Sequence, residues 1–239
     1  MFAIDGGVIV RVSEVFLSCQ GEGVDVGLPT IFVRFQGCNL RPFCSWCDTK
    51  YAQADGGEEL TIEQLMERIV EIGASSRCER FCVSGGEPLH QESAVIELIS
   101  ELQRTGVRHI EIFTNGSLPV PVWYERVRWC VDVKCPFSKT RIRNTDYSEW
   151  FRKLRSTDSV KFVVANKQDL EYCESMSRSI DKVKGPQILV SPLILPSANP
   201  DVLMLNRHWL QTVWNFCVEQ NVRWSFQQHR IVWENKRAV

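Results

Sequence analysis

A run of about 18 or more apolar residues, the length a membrane-spanning helix needs, is missing from this sequence of 239 residues. The segment Met1 to Val12 also lacks the uninterrupted apolar stretch of an export signal, because Asp5 and Arg11 fall inside it. A cytoplasmic protein with no membrane partner is therefore expected. Charge of one sign is not in excess either: 28 Lys and Arg stand against 29 Asp and Glu, a formal net charge of -1. That balance gives no basis for the counterion-releasing phosphate contacts that dominate nucleic-acid affinity, so no nucleic-acid partner is expected. Internal repeats, low-complexity tracts and an interdomain linker are absent, and 44% hydrophobic residues with 14 Gly and 10 Pro exclude disordered and collagen-like chains. One globular domain spanning 1–239 is expected, with enough apolar material for a sizeable core. What the sequence has in excess is cysteine. The 10 present, without an export signal, point away from a disulfide framework and toward thiol chemistry or cofactor ligation.

From Leu60 onward, segments with apolar spacing of three and four alternate with short runs of Val, Ile and Phe. The spacing predicts a helix beginning at Thr61, where Thr61 and Gln64 form a capping-box pattern and Ile62, Leu65, Met66, Ile69 and Val70 supply an apolar face. A second helix carries Val95, Leu98, Ile99 and Leu102 on one side and ends at Gly106, where a left-handed conformation suits glycine. Strands are predicted at Ile31 to Phe35, Arg80 to Val83, Ile110 to Phe113, Cys130 to Val133, Val160 to Val164, Ile188 to Val190 and Val222 to Phe226. Further helices are predicted around Tyr147 to Leu154, Leu170 to Met176 and Arg207 to Glu219, with a polar loop at Ser138 to Thr145. The repeating unit is βα, which makes an open doubly wound sheet or a barrel, and about six units predict an incomplete α/β barrel of the (β/α)6 type. In either architecture ligands sit at the carboxyl ends of the strands. Ser84-Gly85-Gly86-Glu87-Pro88, Thr114-Asn115-Gly116, Lys134 and Ser191-Pro192 all directly follow predicted strands and are expected to share one rim.

Cys38, Cys44 and Cys47 lie in Gly-Cys-Asn-Leu-Arg-Pro-Phe-Cys-Ser-Trp-Cys-Asp-Thr, a C-x5-C-x2-C arrangement after the first of these strands. A structural zinc site wants four protein ligands, and no second C-x2-C or H-x3-H pair is present, leaving Cys19, Cys78 or a histidine to complete one. An iron-sulfur cluster held by three thiolates would instead leave one iron open to a non-protein ligand. The scattered Cys130, Cys173 and Cys217 read as small buried hydrophobes, a reading that stays open for the triplet.

In their order and spacing, Cys19-Gln20-Gly21-Glu22-Gly23, Arg34-Phe35-Gln36-Gly37-Cys38-Asn39-Leu40, Trp46-Cys47-Asp48-Thr49, Ser84-Gly85-Gly86-Glu87-Pro88-Leu89, Thr114-Asn115-Gly116 and Gln228-His229 carry a resemblance over nearly the whole chain. The sequence resembles the radical S-adenosylmethionine (SAM) enzymes, and among them the 7-carboxy-7-deazaguanine synthase family. It departs from the superfamily's usual C-x3-C-x2-C by two extra residues among Arg41, Pro42 and Phe43, a lengthening tolerated within this family. The resemblance implies a partial (β/α)6-type TIM barrel of the radical SAM kind, with a [4Fe-4S] cluster on Cys38, Cys44 and Cys47 in a loop at 38–47. It implies SAM contacts for Trp46, Cys47 and Asp48, for Gly85, Gly86 and Glu87, for Asp132, Val133 and Lys134, and for Ser191, Pro192, Leu193 and Ile194. On this reading the two glycines permit close backbone approach to SAM and Glu87 accepts from its ammonium.

The substrate implied by the resemblance is 6-carboxy-5,6,7,8-tetrahydropterin. Arg34 fits its carboxylate, since a guanidinium offers a bidentate, charge-assisted contact that Lys does not reproduce. Cys19, Gln20, Gly21 and Glu22 resemble the pterin-edge site, Ser84 keeps the hydroxyl of the family's usual Thr, and Gln228 with His229 matches the motif that closes the pocket. Thr49 resembles a Mg2+ ligand, a hard oxygen suited to that ion. Some family members put a terminal carboxylate in the pocket, whereas this sequence continues from Arg230 to Val239.

The implied reaction is reductive cleavage of SAM to a 5′-deoxyadenosyl radical, hydrogen removal from C6 of the pterin, and ring contraction to 7-carboxy-7-deazaguanine with loss of ammonia, in deazapurine (queuosine-type) biosynthesis. SAM is regenerated, and no side chain is obliged to do acid-base work. A homodimer and a flavodoxin- or ferredoxin-type electron donor are implied by analogy. Two alternatives remain at this point: a glycyl-radical activating enzyme, against which Gln20-Gly21-Glu22-Gly23 argues, and a non-catalytic zinc-binding module.

Overall fold

Apolar side chains that recur at every second position favour extended chain and those at three and four favour helix, and both patterns carry through to the fold. The computed structural model describes residues 7–76, 78–142, 147–194, 206–233 and 236–238. Among them run strands β1 (Ile9–Cys19), β2 (Pro29–Phe35), β3 (Glu58–Thr61), β4 (Arg80–Gly85), β5 (His109–Thr114), β6 (Arg128–Val133), β7 (Ser159–Val164), β8 (Gln187–Pro192) and β9 (Arg223–Trp224). The helices are α1 (Ile62–Ser76), α2 (Glu92–Arg104), α3 (Tyr147–Lys153), α4 (Lys167–Ser177), α5 (Arg207–Gln220) and α6 (Gln228–Val232). The strands form one sheet in the order β3-β1-β2-β4-β5-β6-β7-β8-β9. From β2 through β9 every neighbouring pair is parallel. With β3 and β9 at opposite edges the sheet does not close, and the fold is the expected partial barrel.

Two strands go beyond the βα alternation. β1 pairs antiparallel with both β2 and β3, turning Val10 and Val12 into the core. The pair covers the edge of β2, whose backbone groups would otherwise stand open. The β5-to-β6 connection holds only a 3-10 turn at Tyr124–Arg126. Pro119 and Pro121 disfavour a helix there, and an aromatic cluster fills the space, with Trp123 to Trp129 at 5.5 Å and Trp129 to Trp150 at 5.1 Å between ring centroids. β9 is only the middle of the predicted run Val222 to Phe226.

Local signals at the helix ends behave as the sequence predicts. The Thr61 backbone N–H donates to Gln64 Oε1 at 2.9 Å and the Gln64 N–H to Thr61 Oγ1 at 3.3 Å, a reciprocal capping box. Gly106 follows α2 with φ +91°. Ser138 ends a short turn and is buried, while residues 143–145 of the predicted polar loop lie outside the described residues. No helix among the described residues is long and apolar enough to cross a membrane. The core under the rim is apolar: Val33, Phe35, Val83, Ile112, Val131, Phe162 and Val190 are all fully buried. Those packed strands present their carboxyl ends to one side.

Candidate active site

The cluster loop between β2 and β3 is held by its backbone. The Cys38 N–H donates to Gln53 O at 2.9 Å and the Ser45 N–H to Ser138 O at 2.9 Å, while Ser45 Oγ donates to Phe137 O at 3.0 Å. The lengthened spacing closes on itself: the Arg41 guanidinium donates to the carbonyls of Cys38 and Leu40, each at 2.7 Å, and stacks over Phe43 at 4.2 Å. All three cysteines line one pocket. Burial pushes the Cys38 thiol up and the Cys44 thiol to about 11, and the nearby Lys134 ammonium pulls both the other way. No three Cys, His, Asp or Glu side chains among the described residues converge on a point that one metal ion could share. Three thiols lining one pocket suit an iron-sulfur cluster, which takes one thiolate per iron, better than a structural zinc ion enclosed by four protein ligands.

That pocket gathers most of the expected site. Trp46, Asp48 and Thr49 come from the cluster loop, Ser84, Gly85 and Gly86 from the end of β4, and Asp132 and Lys134 from the end of β6. Cys19, Gln20, Gly21 and Glu22 come from the β1–β2 connection, Arg34 from β2 and His229 from α6. Thr49 Oγ1 lies 3.4 Å from Cys47 Sγ. The His229 ring fills the space that a Gly21 Cβ would occupy, 2.3 Å from Nδ1, and its Nε2 lies 3.3 Å from Asp48 Oδ2. Burial works against the Asp48 charge, but the His229 hydrogen bond and the Arg34 and Arg230 guanidiniums hold the carboxyl well below the usual range.

Other expected residues stand elsewhere. Glu87 is fully buried behind the wall, where Oε1 accepts from Thr114 Oγ1 at 2.8 Å and the Leu89 N–H at 3.1 Å, and Oε2 from the Asn115 N–H at 2.7 Å. Its carboxylate ties the ends of β4 and β5 together. Gly85 and Gly86, which line the pocket, also serve packing: a Cβ would lie 2.1 Å from Phe35 O at the first and 2.1 Å from Gly37 O at the second. Val133, Ser191, Pro192 and Ile194 are buried and Leu193 half-buried, all outside the pocket lining. Gln228 is exposed, and the buried Gln227 lines the pocket in its place. The tail does reach the pocket, through Trp233, Lys236 and Ala238.

Two further residues, Glu14 and Lys161, line the pocket, and a third, Glu111, lies behind it. Glu14 Oε1 accepts from Arg34 Nε at 2.7 Å and from the Tyr51 hydroxyl at 2.6 Å, while Arg237 Nε lies 3.4 Å from its other oxygen. Arg34 thus has a carboxylate partner already, and burial, which opposes its charge, is outweighed by Tyr51, Glu14 and Asp48. Glu14 sits opposite Arg34 across the β1–β2 pair, a signal available only once β1 is read as a strand. Lys161 on β7 also lines the pocket and joins Glu22 to Asp132. Glu111 on β5 lies beneath the β1–β2 connection, with Gln20 Nε2 at 3.5 Å and Arg128 Nε at 3.6 Å.

Burial pushes the Glu111 carboxyl from an ordinary 4.5 up to about 7, despite the pull of Arg128. An acid raised on folding binds more protons folded than unfolded, so its contribution is fully present below about 4.5 and is lost as pH rises through about 7. Urea unfolding of the apo-protein over that range should show stability falling with pH, and Glu111→Gln should flatten the curve. An unchanged slope in the Gln variant would assign the dependence to another group.

Comparison with known proteins agrees with this geometry. A family model described as the radical SAM superfamily matches residues 32–131. A 7-carboxy-7-deazaguanine synthase of Methanospirillum hungatei is 38% identical over 185 residues, covering 77% of this chain and 73% of the relative. One from Koribacter versatilis is 30% identical over 236 residues, covering 94% of this chain and 97% of the relative. The crystal structure of QueE from Escherichia coli superposes with a TM-score of 0.69 at 21% identity, covering 92% of this chain and 95% of that one, and shares the fold. Both relatives named here are 7-carboxy-7-deazaguanine synthases, and neither is a glycyl-radical activating enzyme.

Proposed function

Because the chain belongs to the 7-carboxy-7-deazaguanine synthase family of radical SAM enzymes, we propose that its rim pocket converts 6-carboxy-5,6,7,8-tetrahydropterin to 7-carboxy-7-deazaguanine with loss of ammonia, in deazapurine (queuosine-type) biosynthesis. It is a lyase of the radical SAM class and acts on a small molecule. The observation that carries the substrate reading is the union, in one pocket, of the three cysteines, the Gly85-Gly86 loop end and the Arg34 and Gln20–Glu22 wall. When bound, the [4Fe-4S] cluster on Cys38, Cys44 and Cys47 supplies the electron that activates SAM. Lys134, near the thiols, offsets their charge, and Trp46 offers a flat apolar face beside it. The Asp132 Oδ1 atom, buried without a hydrogen-bond partner, is suited to accept from SAM. Arg34 uses Nε on Glu14, leaving its terminal nitrogens for the pterin carboxylate. Glu22 and Gln20 suit the donors of the pterin edge, and His229, held by Asp48, closes over them. This confinement fixes geometry, which is the protein's share of the rate.

Anaerobic incubation of reconstituted protein with SAM, a reductant, Mg2+ and the carboxytetrahydropterin, followed by mass spectrometry, is expected to yield the deazaguanine and ammonia with SAM recovered. Cleaved SAM without that product would remove the pterin from the reading. The same reading includes a cytoplasmic homodimer served by a flavodoxin- or ferredoxin-type donor, testable by size-exclusion chromatography and by reconstitution with either donor class.

Arg34 and Thr49 carry separable predictions. Arg34→Ala removes the charge partner of the substrate carboxylate and of Glu14, whose side chain is only 8% exposed. The Michaelis constant should rise some thirtyfold or more, a loss of roughly 2 to 5 kcal/mol, and the melting temperature should fall with it. Arg34→Lys keeps a cation for Glu14 and loses the fork, so it should raise the Michaelis constant with little change in melting. If the Lys variant keeps the parental constant, Arg34 belongs to the ion pair alone. For Mg2+, Thr49 supplies one hard oxygen at the pocket wall. Thr49→Val preserves shape, and turnover should need more Mg2+ while SAM affinity and the cluster spectrum stay fixed. A magnesium titration that superposes on the parent's would reduce Thr49 to packing.

A further inference from the structure

A line of alternating charges crosses the pocket from the substrate wall to the SAM wall. Lys161 Nζ lies 2.7 Å from Glu22 Oε2 and 3.1 Å from Asp132 Oδ2, and Lys134 Nζ lies 3.0 Å from the same Asp132 oxygen. Lys134 in turn sits 5.0 Å from the centroid of the Trp46 ring. The Lys161 side chain is 4% exposed, those of Asp132 and Lys134 12% each and that of Glu22 17%. One buried ammonium therefore serves two carboxylates from opposite subsites, and the family motifs assign it no role. Each carboxylate keeps an oxygen off the bridge, and Asp132 Oδ1 has no partner.

Resting on the function proposed above, we propose that Lys161 is a positioning residue that couples occupancy of the pterin subsite to occupancy of the SAM subsite. A ligand donor that captures Glu22 fixes its rotamer, and through the shared ammonium it also fixes Asp132. A ligand on Asp132 does the same in reverse. Whichever ligand binds first thus bears the ordering cost of the bridge, and the second binds to a site already set. Linkage makes the effect reciprocal. The chain Glu22–Lys161–Asp132 suffices for this, with no movement of the barrel.

The test measures binding, apart from turnover. SAM is titrated calorimetrically into reconstituted protein under anaerobic conditions without reductant, with and without saturating 6-carboxy-5,6,7,8-tetrahydropterin. In the parent, the pterin should tighten SAM by about tenfold. In Lys161→Met, which removes the ammonium and keeps an unbranched side chain, the ratio should fall to within about twofold of unity, and the converse titration should lose the same factor. Glu22→Gln, which leaves Lys161 paired with Asp132, should lose the coupling as well, and it decides the matter alone if Lys161→Met does not assemble a cluster. Lys161→Arg, keeping the cation, should retain part of it. A parental ratio in a variant that holds its cluster, or a ratio of unity in the parent, overturns the bridge. Product formation by the parent distinguishes that outcome from failure of the pterin reading, in which the parent neither binds nor converts the pterin.

Discussion

Cys44→Ala is expected to lose the absorbance of the four-iron cluster and all reductive SAM cleavage, and Cys38→Ala and Cys47→Ala should do the same. Each thiolate holds one iron, so two remaining protein ligands leave the cluster short by one anchor. The apo-protein should nonetheless fold with nearly its parental melting temperature, because the loop is held by the Cys38 and Ser45 backbone, by Ser45 Oγ and by Arg41, none of which uses a cysteine sulfur. The other seven cysteines are predicted to be dispensable for the cluster. Cys82, Cys130, Cys135, Cys173 and Cys217 are buried, and none of them lies in the loop at 38–47 that carries the triplet. Cys78 Sγ lies 3.2 Å from Pro29 O, occupied with the start of β2. Iron and sulfide analysis with visible spectra of all five alanine variants, Cys19→Ala and Cys78→Ala included, checks this. A full cluster in Cys44→Ala together with its loss in Cys19→Ala or Cys78→Ala would show that the lengthened spacing excludes Cys44 from the ligand set.

The second large effect is steric. A methyl group at Gly86 would lie 2.1 Å from Gly37 O and 2.5 Å from Ala52 O, both backbone atoms with no rotamer to turn away. That junction holds the end of β4 against the cluster loop, with the Gly86 N–H donating to Phe35 O at 3.1 Å, the Glu87 N–H to Gly37 O at 2.8 Å and the Gly37 N–H to Ala52 O at 2.8 Å. Accommodating the methyl means parting these bonds, so Gly86→Ala should destabilise the apo-protein by roughly 3 kcal/mol or more. Cluster reconstitution should fail with it, since the cysteine loop loses its floor. Gly73→Ala is the control: it lies within α1, its Cβ would meet only Ile31 Cδ1 at an ordinary 3.6 Å, and alanine is the better helix former by about 1 kcal/mol. Denaturant melts of the two variants should move in opposite directions. If Gly86→Ala melts with the parent, the junction is looser than this geometry and the glycine answers to a ligand after all.

By itself the sequence determined what short stretches of chain decide. The βα alternation, the Thr61–Gln64 cap, the Gly106 helix end and the cysteine loop depend on residues a few positions apart, where propensity, periodicity and hydrogen-bonding reach are local. The family motifs likewise lie in contiguous runs. The tertiary structure alone decided which side chains face one another. Glu14 meets Arg34 across an antiparallel pair 20 positions apart, and the β1 strand that makes the pair was hidden by its mixed burial. Lys161 meets Glu22 across 139 positions, and within Ser-Val-Lys-Phe-Val-Val nothing local marks it as part of a site. Glu87 reads in its motif as a ligand-facing carboxylate, and only the fold shows that Thr114 and Asn115, at the end of the next strand, donate to its two oxygens. A buried charge must be met by a partner wherever the chain brings one, and that partner is chosen by strand order and register, which no window of sequence contains.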